Sequence, residues 1–353
     1  MSSWAGQNAL GYYTFLGLGD FPPPKSLTTD WTSTWDLDQW RRRLDRLADL
    51  GCNTLMVYLM GHRLPYPSRR FPDCVEAEHP NVRAEFFGQV VEEAAQRQMR
   101  TIATLTTTGH CRTFASAHPE LVIVGQDGST PARGLAGTFD THILCHHNPA
   151  ARQYCMDLVE EVLTRYSGFG GVILHPPEFA EPCHCPLCRQ AHLDQTGKDL
   201  LQVPQDQAQA FFMSSYMRFG RQELWPLVRR LAPGARPLMF TIPWVFHKHF
   251  EQVAQEIEPE TIIVDWDYDL REEAAELLAP RLRRYGRLGH EVWFMPTCGY
   301  AFDSKTDRHL QEQAVLRMVC AARDAGPRGI VYFMGPRWWP SVEATSLRQA
   351  RPS

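Results

Sequence analysis

Residues 261–298 read TIIVDWDYDLREEAAELLAPRLRRYGRLGHEVWFMPTC, and this stretch decides the fold. Apolar runs at 261–264 and 291–295 enclose a segment, 272–285, whose apolar residues recur with the period of a helix. A strand, a helix and a second strand in this order form a unit with parallel strands. Residues 262–264 are apolar at consecutive positions, which is expected of a strand buried on both faces.

The same unit recurs along the whole chain. The predicted strands cover 11–17, 54–59, 101–105, 171–174, 237–242, 261–264, 291–295 and 329–334. The predicted helices cover 37–50, 84–98, 149–166, 207–231, 249–257, 272–285 and 308–325. A doubly wound sheet would need a Gly-rich turn that opens a helix after the first strand, and LGLGDFPPP at 16–24 opens none. The sequence therefore predicts an α/β fold, a single (β/α)8 TIM barrel over residues 1–353 with long loops after strands 3 and 4.

The composition narrows the class of protein. The formal net charge of the 353 residues is −4 and the basic residues are scattered, which gives no support to nucleic-acid binding. No apolar run reaches the roughly 18 residues that span a bilayer, and the first residues lack a secretory signal. The ten cysteines lack the spacing of a small disulfide scaffold. We expect a soluble, cytoplasmic protein with no membrane partner, and a homo-oligomer is left open.

Three cysteines lie within six residues in the loop after strand 4, at Cys183, Cys185 and Cys188. Thiolates at this spacing can converge on one tetrahedral Zn²⁺ if a fourth ligand comes from elsewhere. Cys111, in the loop after strand 3, is the preferred fourth ligand because neighbouring barrel loops are close in space; His184 and His110 are the alternatives. Four protein ligands close the site, so the predicted cofactor is a structural zinc ion.

Polar and aromatic residues follow the strands at their carboxyl ends, the face where barrel active sites lie. Hydroxyl, imidazole, guanidinium and aromatic groups are the mixture that a carbohydrate site needs. The residues expected to contact such a ligand are Tyr58, His175, Trp244, Tyr268, Tyr300, Arg337 and Trp338. The predicted partner is therefore a carbohydrate.

Residues 106–188 resemble the region from strand 3 to strand 4 of glycoside hydrolase family 42, the zinc-containing β-galactosidases. The matching pieces are Cys111, HPE at 118–120, the Asp-Gly turn at 127–128, C-x-x-N-P-x-x-R-x-Y at 145–154, Arg-Tyr at 165–166 and the three-cysteine loop. They cover about a quarter of the chain. Other, less characterised glycosidase-type barrels share the acidic residue and the cysteine loop.

The resemblance implies a barrel glycosidase whose general acid/base follows strand 4, which falls on Glu178. The family has an Asn before this Glu, and here the position is Pro177. The family nucleophile is a Glu after strand 7, where EVWFMPTCGYA offers no carboxylate at that end. The expectation is therefore a glycosidase-type hydrolase without the β-galactosidase label.

Asp265 and Asp267 follow the predicted sixth strand. Being two positions apart they point the same way, and we expect them to face the barrel axis while Trp266 faces the helices. Glycoside hydrolysis uses two carboxyl groups, so Glu178 is expected to donate the proton and Asp267, predicted to be the more exposed aspartate, to act with it. One strand separates strands 4 and 6, which favours the longer carboxylate separation of an inverting enzyme. The alternative for each aspartate is a solvated or ion-paired loop residue, with Arg337 as the candidate partner.

Two further functions remain open from the sequence. The missing carboxylate after strand 7 is also compatible with a degenerate barrel that binds sugar without catalysis. A metal-dependent isomerase or aldolase is the other alternative, and its metal ligands would be Asp265, Asp267, His175 and Glu178.

Overall fold

The computed structural model describes residues 8–15, 36–59, 64, 66–72, 85–109, 112–130, 134–135, 139–140, 142–177, 181–241, 248–267, 271–298 and 308–334. Eight parallel strands form its centre. They are β1 (Ala9–Phe15), β2 (Thr54–Leu59), β3 (Arg100–Thr106), β4 (Gly171–His175), β5 (Arg236–Thr241), β6 (Ile262–Asp267), β7 (Val292–Cys298) and β8 (Gly329–Met334).

The strands close into a barrel in the order of the sequence, with β8 paired to β1. Every pairing between neighbouring barrel strands is parallel. The predicted (β/α)8 barrel is confirmed. One small antiparallel pair, Gly134–Leu135 with Phe139–Asp140, lies in the loop after β3. That the whole of residues 1–353 is one domain stays a prediction.

Helices lie between consecutive strands. They are α1 (Leu37–Asp49), α2 (Phe86–Gln96), α3 (Arg112–Ala117), α4 (Pro149–Arg165), α5 (Pro186–Thr196), α6 (Gln205–Phe219), α7 (Trp225–Leu231), α8 (Phe250–Ala254), α9 (Glu272–Arg287) and α10 (Arg308–Arg323). Helix α1 begins at a capping box, in which Asp36 accepts from the Gln39 amide and the Gln39 side chain accepts from the Asp36 amide. Within the described ranges no helix combines the length and hydrophobicity that a membrane span requires.

The helix predicted over 207–231 is one element in the sequence pattern but three in the structure. A π-helical turn, Gly220–Leu224, separates α6 from α7. Pro226 lies in the first turn of α7, has no amide hydrogen and would clash with the carbonyl four residues earlier in a regular helix. The wider π turn avoids that clash without ending the helical path.

Two hydrophobic cores follow from the alternation of side chains along each strand. In β6, Ile262, Val264 and Trp266 face the barrel interior, and Ile263 packs in the core between the strands and the helices. Alternate positions of every barrel strand therefore belong to different cores. A residue's position in this two-residue period decides whether it can reach a ligand at the barrel mouth.

Gly329 leaves room for a large ring at the amino end of the barrel. A Cβ atom added there would lie 2.6 Å from two carbon atoms of the buried Trp293 indole. We expect Gly329→Ala to lower the free energy of unfolding by about 1–3 kcal/mol, because the indole cannot move aside in a filled interior. Gly286→Ala is the matched control, since nothing lies within 4 Å of its added Cβ. Urea denaturation of both variants checks this, and equal stabilities would contradict it.

Candidate functional site

Six ring-bearing side chains from six strands meet inside the carboxyl end of the barrel. This set, here called the aromatic layer, comprises Tyr13, Tyr58, His175, Phe240, Trp266 and Phe333. The His175 ring is central: its centroid lies 5.6 Å from that of Tyr58, 5.4 Å from Phe240 and 6.0 Å from Trp266. The structure thus brings together two of the predicted ligand-binding residues, Tyr58 and His175.

His175 is fully buried at the last position of β4. Its Nδ1 lies 2.7 Å from the carbonyl oxygen of Pro176, which can only accept a hydrogen bond. The proton of the neutral ring is therefore assigned to Nδ1, and Nε2 is left as an acceptor. The acceptor nitrogen of His175 thus lies among the rings of the aromatic layer.

The predicted orientation of Asp265 and Asp267 is wrong. Strand β6 continues through both aspartates, and their side chains point outward to α9, where Arg281 binds them. The Arg281 guanidinium donates to Asp265 at 3.0 and 2.7 Å and to Asp267 at 2.6 Å. Both carboxylates are buried, at 0% and 4% exposed. The more exposed of the two is Asp267, but neither reaches the barrel axis.

The physical reason lies in the composition of β6. Trp266, predicted to face the helices, instead completes the aromatic layer with Ile262 and Val264 below it. The opposite face then carries the acids, and Thr241 on β5 also donates to Asp265 at 3.1 Å. Burial lowers the pKa of Arg281, but the two carboxylates outweigh burial, and its pKa is raised above the ordinary value.

Arg281, Asp265 and Asp267 form a buried triad in which Arg281 supplies the positive charge. We expect Arg281→Met to lower the free energy of unfolding by about 3 kcal/mol. Arg284→Met, on the same helix, removes a partner from an exposed ion pair with Glu251 and should cost at most about 1 kcal/mol. Urea denaturation at neutral pH compares the two variants; similar losses would show that the triad contributes no more than a surface pair.

Four thiols converge between the loops after β3 and β4. This set, the thiol cluster, comprises Cys145, Cys183, Cys185 and Cys188, and all four Sγ atoms lie within 4.8 Å of one another. Cys145 Sγ is 3.4 Å from Cys188 Sγ and 3.7 Å from Cys185 Sγ. Sulfur atoms around a tetrahedral ion with bonds of about 2.3 Å lie roughly 3.8 Å apart, whereas a disulfide needs about 2.05 Å. The spacing fits a metal site.

The surroundings of the cluster favour the thiolate form of two of its members, Cys183 and Cys185. The Val124 amide donates to Cys183 Sγ at 3.3 Å, and Cys185 and Cys188 lie at the amino terminus of α5, where the helix dipole is positive. Hydrogen bonds from the other three thiols hold the pKa of Cys185 far below its usual range. Deprotonated sulfur is the form that binds a metal ion.

Three of the four predicted metal ligands lie in the cluster, and the fourth thiol is Cys145. Cys111 and the alternative His110 lie outside the described residues. His184 is buried, but its ring is not part of the converging group. Cys145 begins the C-x-x-N-P motif at 145–149, in which Asn148 caps α4 by accepting from the Ala150 amide at 2.9 Å. This motif was the sequence signal for Cys145.

The other predicted site residues lie outside the described part of the chain, and their roles stay predictions. They are Glu178, Trp244, Tyr268, Tyr300, Arg337 and Trp338. Glu178 comes directly after Pro177 and therefore three residues after the end of β4.

Solved structures share this fold. A polyextremophilic β-galactosidase from the Antarctic haloarchaeon Halorubrum lacusprofundi superposes with a TM-score of 0.65 at 13% identity, covering 98% of this chain and 58% of that chain. A family 42 β-galactosidase from G. stearothermophilus superposes with a TM-score of 0.64 at 14% identity, covering 98% of this chain and 57% of that chain. An exo β-N-acetylglucosaminidase from Vibrio harveyi superposes with a TM-score of 0.58 at 17% identity, covering 88% of this chain and 51% of that chain. At these identities the likeness concerns the fold alone, and this chain spans between half and three fifths of these three structures.

No curated protein sequence matches the chain. The sequence model of the family described as Beta-galactosidase, glycoside hydrolase family 42, matches residues 32–209. This match covers about half of the chain and includes β2 to β4, the thiol cluster and the position of Glu178. The chain belongs to glycoside hydrolase family 42.

Proposed function

We propose that the protein hydrolyses a glycoside at the carboxyl end of its barrel, with Glu178 as the general acid. The observation that carries the proposal is the family match over residues 32–209, which spans the strand that leads into Glu178. A carboxylic acid that protonates the leaving oxygen is required in most glycoside hydrolases. Glu178 is the acid that follows β4 most closely in the sequence.

The aromatic layer supports a carbohydrate as the ligand. Sugar rings present apolar C–H faces and a rim of hydroxyl groups, so they suit a site that combines aromatic surfaces with an orienting acceptor. In this proposal Trp266 and Tyr58 would supply the surfaces, and His175 Nε2 would supply the acceptor. These residues would bind and orient the sugar, while the acid acts on the bond to be broken.

The proposal gives Asp265 and Asp267 no catalytic role. Both are committed to Arg281 on the helix side of β6, so neither can activate water or attack an anomeric carbon at the mouth. The expectation of an inverting enzyme rested on the distance from strand 4 to strand 6 and loses its basis with them. The same pairing argues against an isomerase or aldolase, because that reading needs both aspartates as metal ligands.

We propose that the thiol cluster binds one Zn²⁺ with a structural role. Four thiolates complete a tetrahedral site and leave no position for water or substrate, so the ion would supply folding energy and not Lewis acidity. Through Cys145 the ion would join the loop after β3 to the loop after β4.

One observation favours a second candidate function, sugar binding without hydrolysis. No carboxylate belongs to the aromatic layer, and the two described aspartates at the end of β6 face away from it. A barrel with no second carboxylate beside the bound sugar could hold that sugar and leave it intact.

Turnover separates the two candidates. A panel of aryl glycosides, β-galactosides included, should be assayed for release of the aryl group, and binding of the same sugars should be measured by calorimetry. Hydrolysis that is lost in Glu178→Gln while binding persists supports the proposed enzyme. Binding without turnover in the unchanged protein would overturn it in favour of the sugar-binding function.

A further inference from the structure

Two adjacent residues of α6 connect the thiol cluster with the end of β4. Ser215 and Tyr216 are both buried, at 7% and 2% exposed. Neighbouring positions on a helix point about 100° apart, so one residue can contact the loop after β3 while the next contacts the barrel. This helix therefore contacts both the residues next to Cys145 and the end of β4.

Ser215 fixes the residues that follow Cys145. His146 Nε2 lies 2.7 Å and His147 Nε2 lies 3.1 Å from Ser215 Oγ. The hydroxyl has one hydrogen, which it gives to the Phe212 carbonyl at 2.9 Å, so both imidazoles donate to it. The Phe212 ring also packs on His146, with centroids 4.5 Å apart. If a metal ion fixed Cys145, the two histidines that follow it would hold α6 through their hydrogen bonds to Ser215.

Tyr216 fixes the ends of β3 and β4. Its hydroxyl donates to the His175 carbonyl at 3.2 Å and accepts from Thr107 Oγ1 at 2.8 Å. The chain after β3 also lies beside the chain after β4, because a Cβ added to Gly109 would be in ordinary contact with the Pro177 Cα atom, at 3.4 Å. The Tyr216 hydroxyl therefore joins the start of the loop after β3 to the end of β4. Its contact on β4, His175, lies three residues before Glu178.

We infer that Tyr216 is a positioning residue that, together with Ser215, couples metal occupancy of the thiol cluster to the placement of Pro176 and Pro177. The inference rests on the proposed role of Glu178, which these two prolines precede. Metal binding holds Cys145, the two imidazoles hold Ser215, and Tyr216 on the same helix holds the end of β4. Because coupling between two sites is reciprocal, loosening the end of β4 must also weaken metal retention.

Hydrogen exchange on the zinc-loaded protein tests the coupling without any substrate. In Tyr216→Phe, the amides of a peptide spanning 171–177 should exchange about tenfold faster, because the His175 carbonyl loses its buried partner. Tyr285→Phe is the matched control: Tyr285 is equally buried but on α9, where it interacts with Thr241 and Asp265 of β5 and β6. Equal exchange at 171–177 in the two variants would overturn the inference.

Metal release provides the second, independent measurement. Zinc transfer to a chromogenic chelator should be several-fold faster in Tyr216→Phe and in Ser215→Ala than in the Tyr285→Phe control. Ser215→Ala keeps the phenol, so it tests the coupling even if the tyrosine variant folds poorly. Release at the control rate in both variants would overturn the inference.

A kinetic split links the coupling to the proposed reaction. Since misplacement of a catalytic group by a fraction of an ångström is costly, kcat of Tyr216→Phe should fall about tenfold with KM nearly unchanged. If no glycoside is turned over, the proposed function fails, while the exchange and release results still decide the coupling. If turnover is normal in Tyr216→Phe, the positioning role fails and the proposed function stands.

Discussion

Cys145→Ser is expected to abolish stoichiometric metal binding and to lower the melting temperature by roughly 10 °C or more. A structural zinc site contributes its binding free energy to folding, and a serine hydroxyl does not replace a thiolate ligand. The cluster also joins the loops after β3 and β4, so its loss releases both loops. Metal analysis by mass spectrometry together with calorimetric melting measures the two effects.

Two controls show which cysteine is the fourth ligand. Cys155→Ser changes a fully buried thiol of α4 that donates to the Thr107 carbonyl at 3.4 Å and is not in the cluster, so metal content should stay near one per chain. Cys111→Ser should also keep the metal if Cys145 completes the site. Metal loss in Cys111→Ser together with retention in Cys145→Ser would restore the ligand set predicted from the sequence.

Glu178→Gln is expected to reduce kcat for glycosides with poor leaving groups by about 10²–10⁴-fold, the usual contribution of a general acid. For glycosides with nitrophenyl leaving groups, kcat should fall much less, because the departing oxygen needs little protonation. Glutamine keeps the size of the side chain, so metal content and melting temperature should stay nearly unchanged. Steady-state rates over a series of leaving groups provide the measurement.

Glu181→Gln is the matched control for that prediction. Glu181 is the next acid along the same loop, and its replacement should leave the rates and their dependence on the leaving group as they are. Equal turnover by Glu178→Gln and the unchanged protein on an alkyl glycoside would remove Glu178 from the mechanism. The family membership would then describe the fold and not the chemistry.

The strands could be predicted well because they are buried on both faces. The runs at 54–59 and 329–334 coincide with Thr54–Leu59 and Gly329–Met334, since each is mostly apolar and a glycine follows within two residues of its end. The break at Gly220 was not predicted, because Pro226 sits in a window whose helical pattern continues on both sides of it.

The site was harder to predict because it depends on partners distant in sequence. The two-residue period correctly gave Asp265 and Asp267 a shared face but did not say which face. Their orientation depends on Arg281, which lies in the next helix, α9. Its positive charge offsets the cost of burying the two carboxylates. Ile262, Val264 and Trp266 occupy the alternate positions and share the other face of the strand. That all three are large and apolar was the available sign that this face is the barrel interior.

The fourth thiol illustrates a similar limit. Loop adjacency predicted Cys111, in the loop after strand 3, whereas Cys145 lies further along the same loop. Residues 121–123 pair with 143–145 through the Ile123 and Cys145 amides, and this pairing brings Cys145 beside Val124 and the cysteine loop. Such a fold-back of the long loop has no local signature in the sequence.

The packed interior of the barrel limits the routes by which small molecules can enter and leave. Trp293, Val331 and Met295 fill the space below Trp266 and Phe333, so nothing the size of a sugar can pass along the axis. If the mouth is the site of hydrolysis, substrate and released sugar must use the same entrance in opposite directions. A monosaccharide product that lingers there excludes the next substrate, so its inhibition should be competitive and should set the rate at high product concentration.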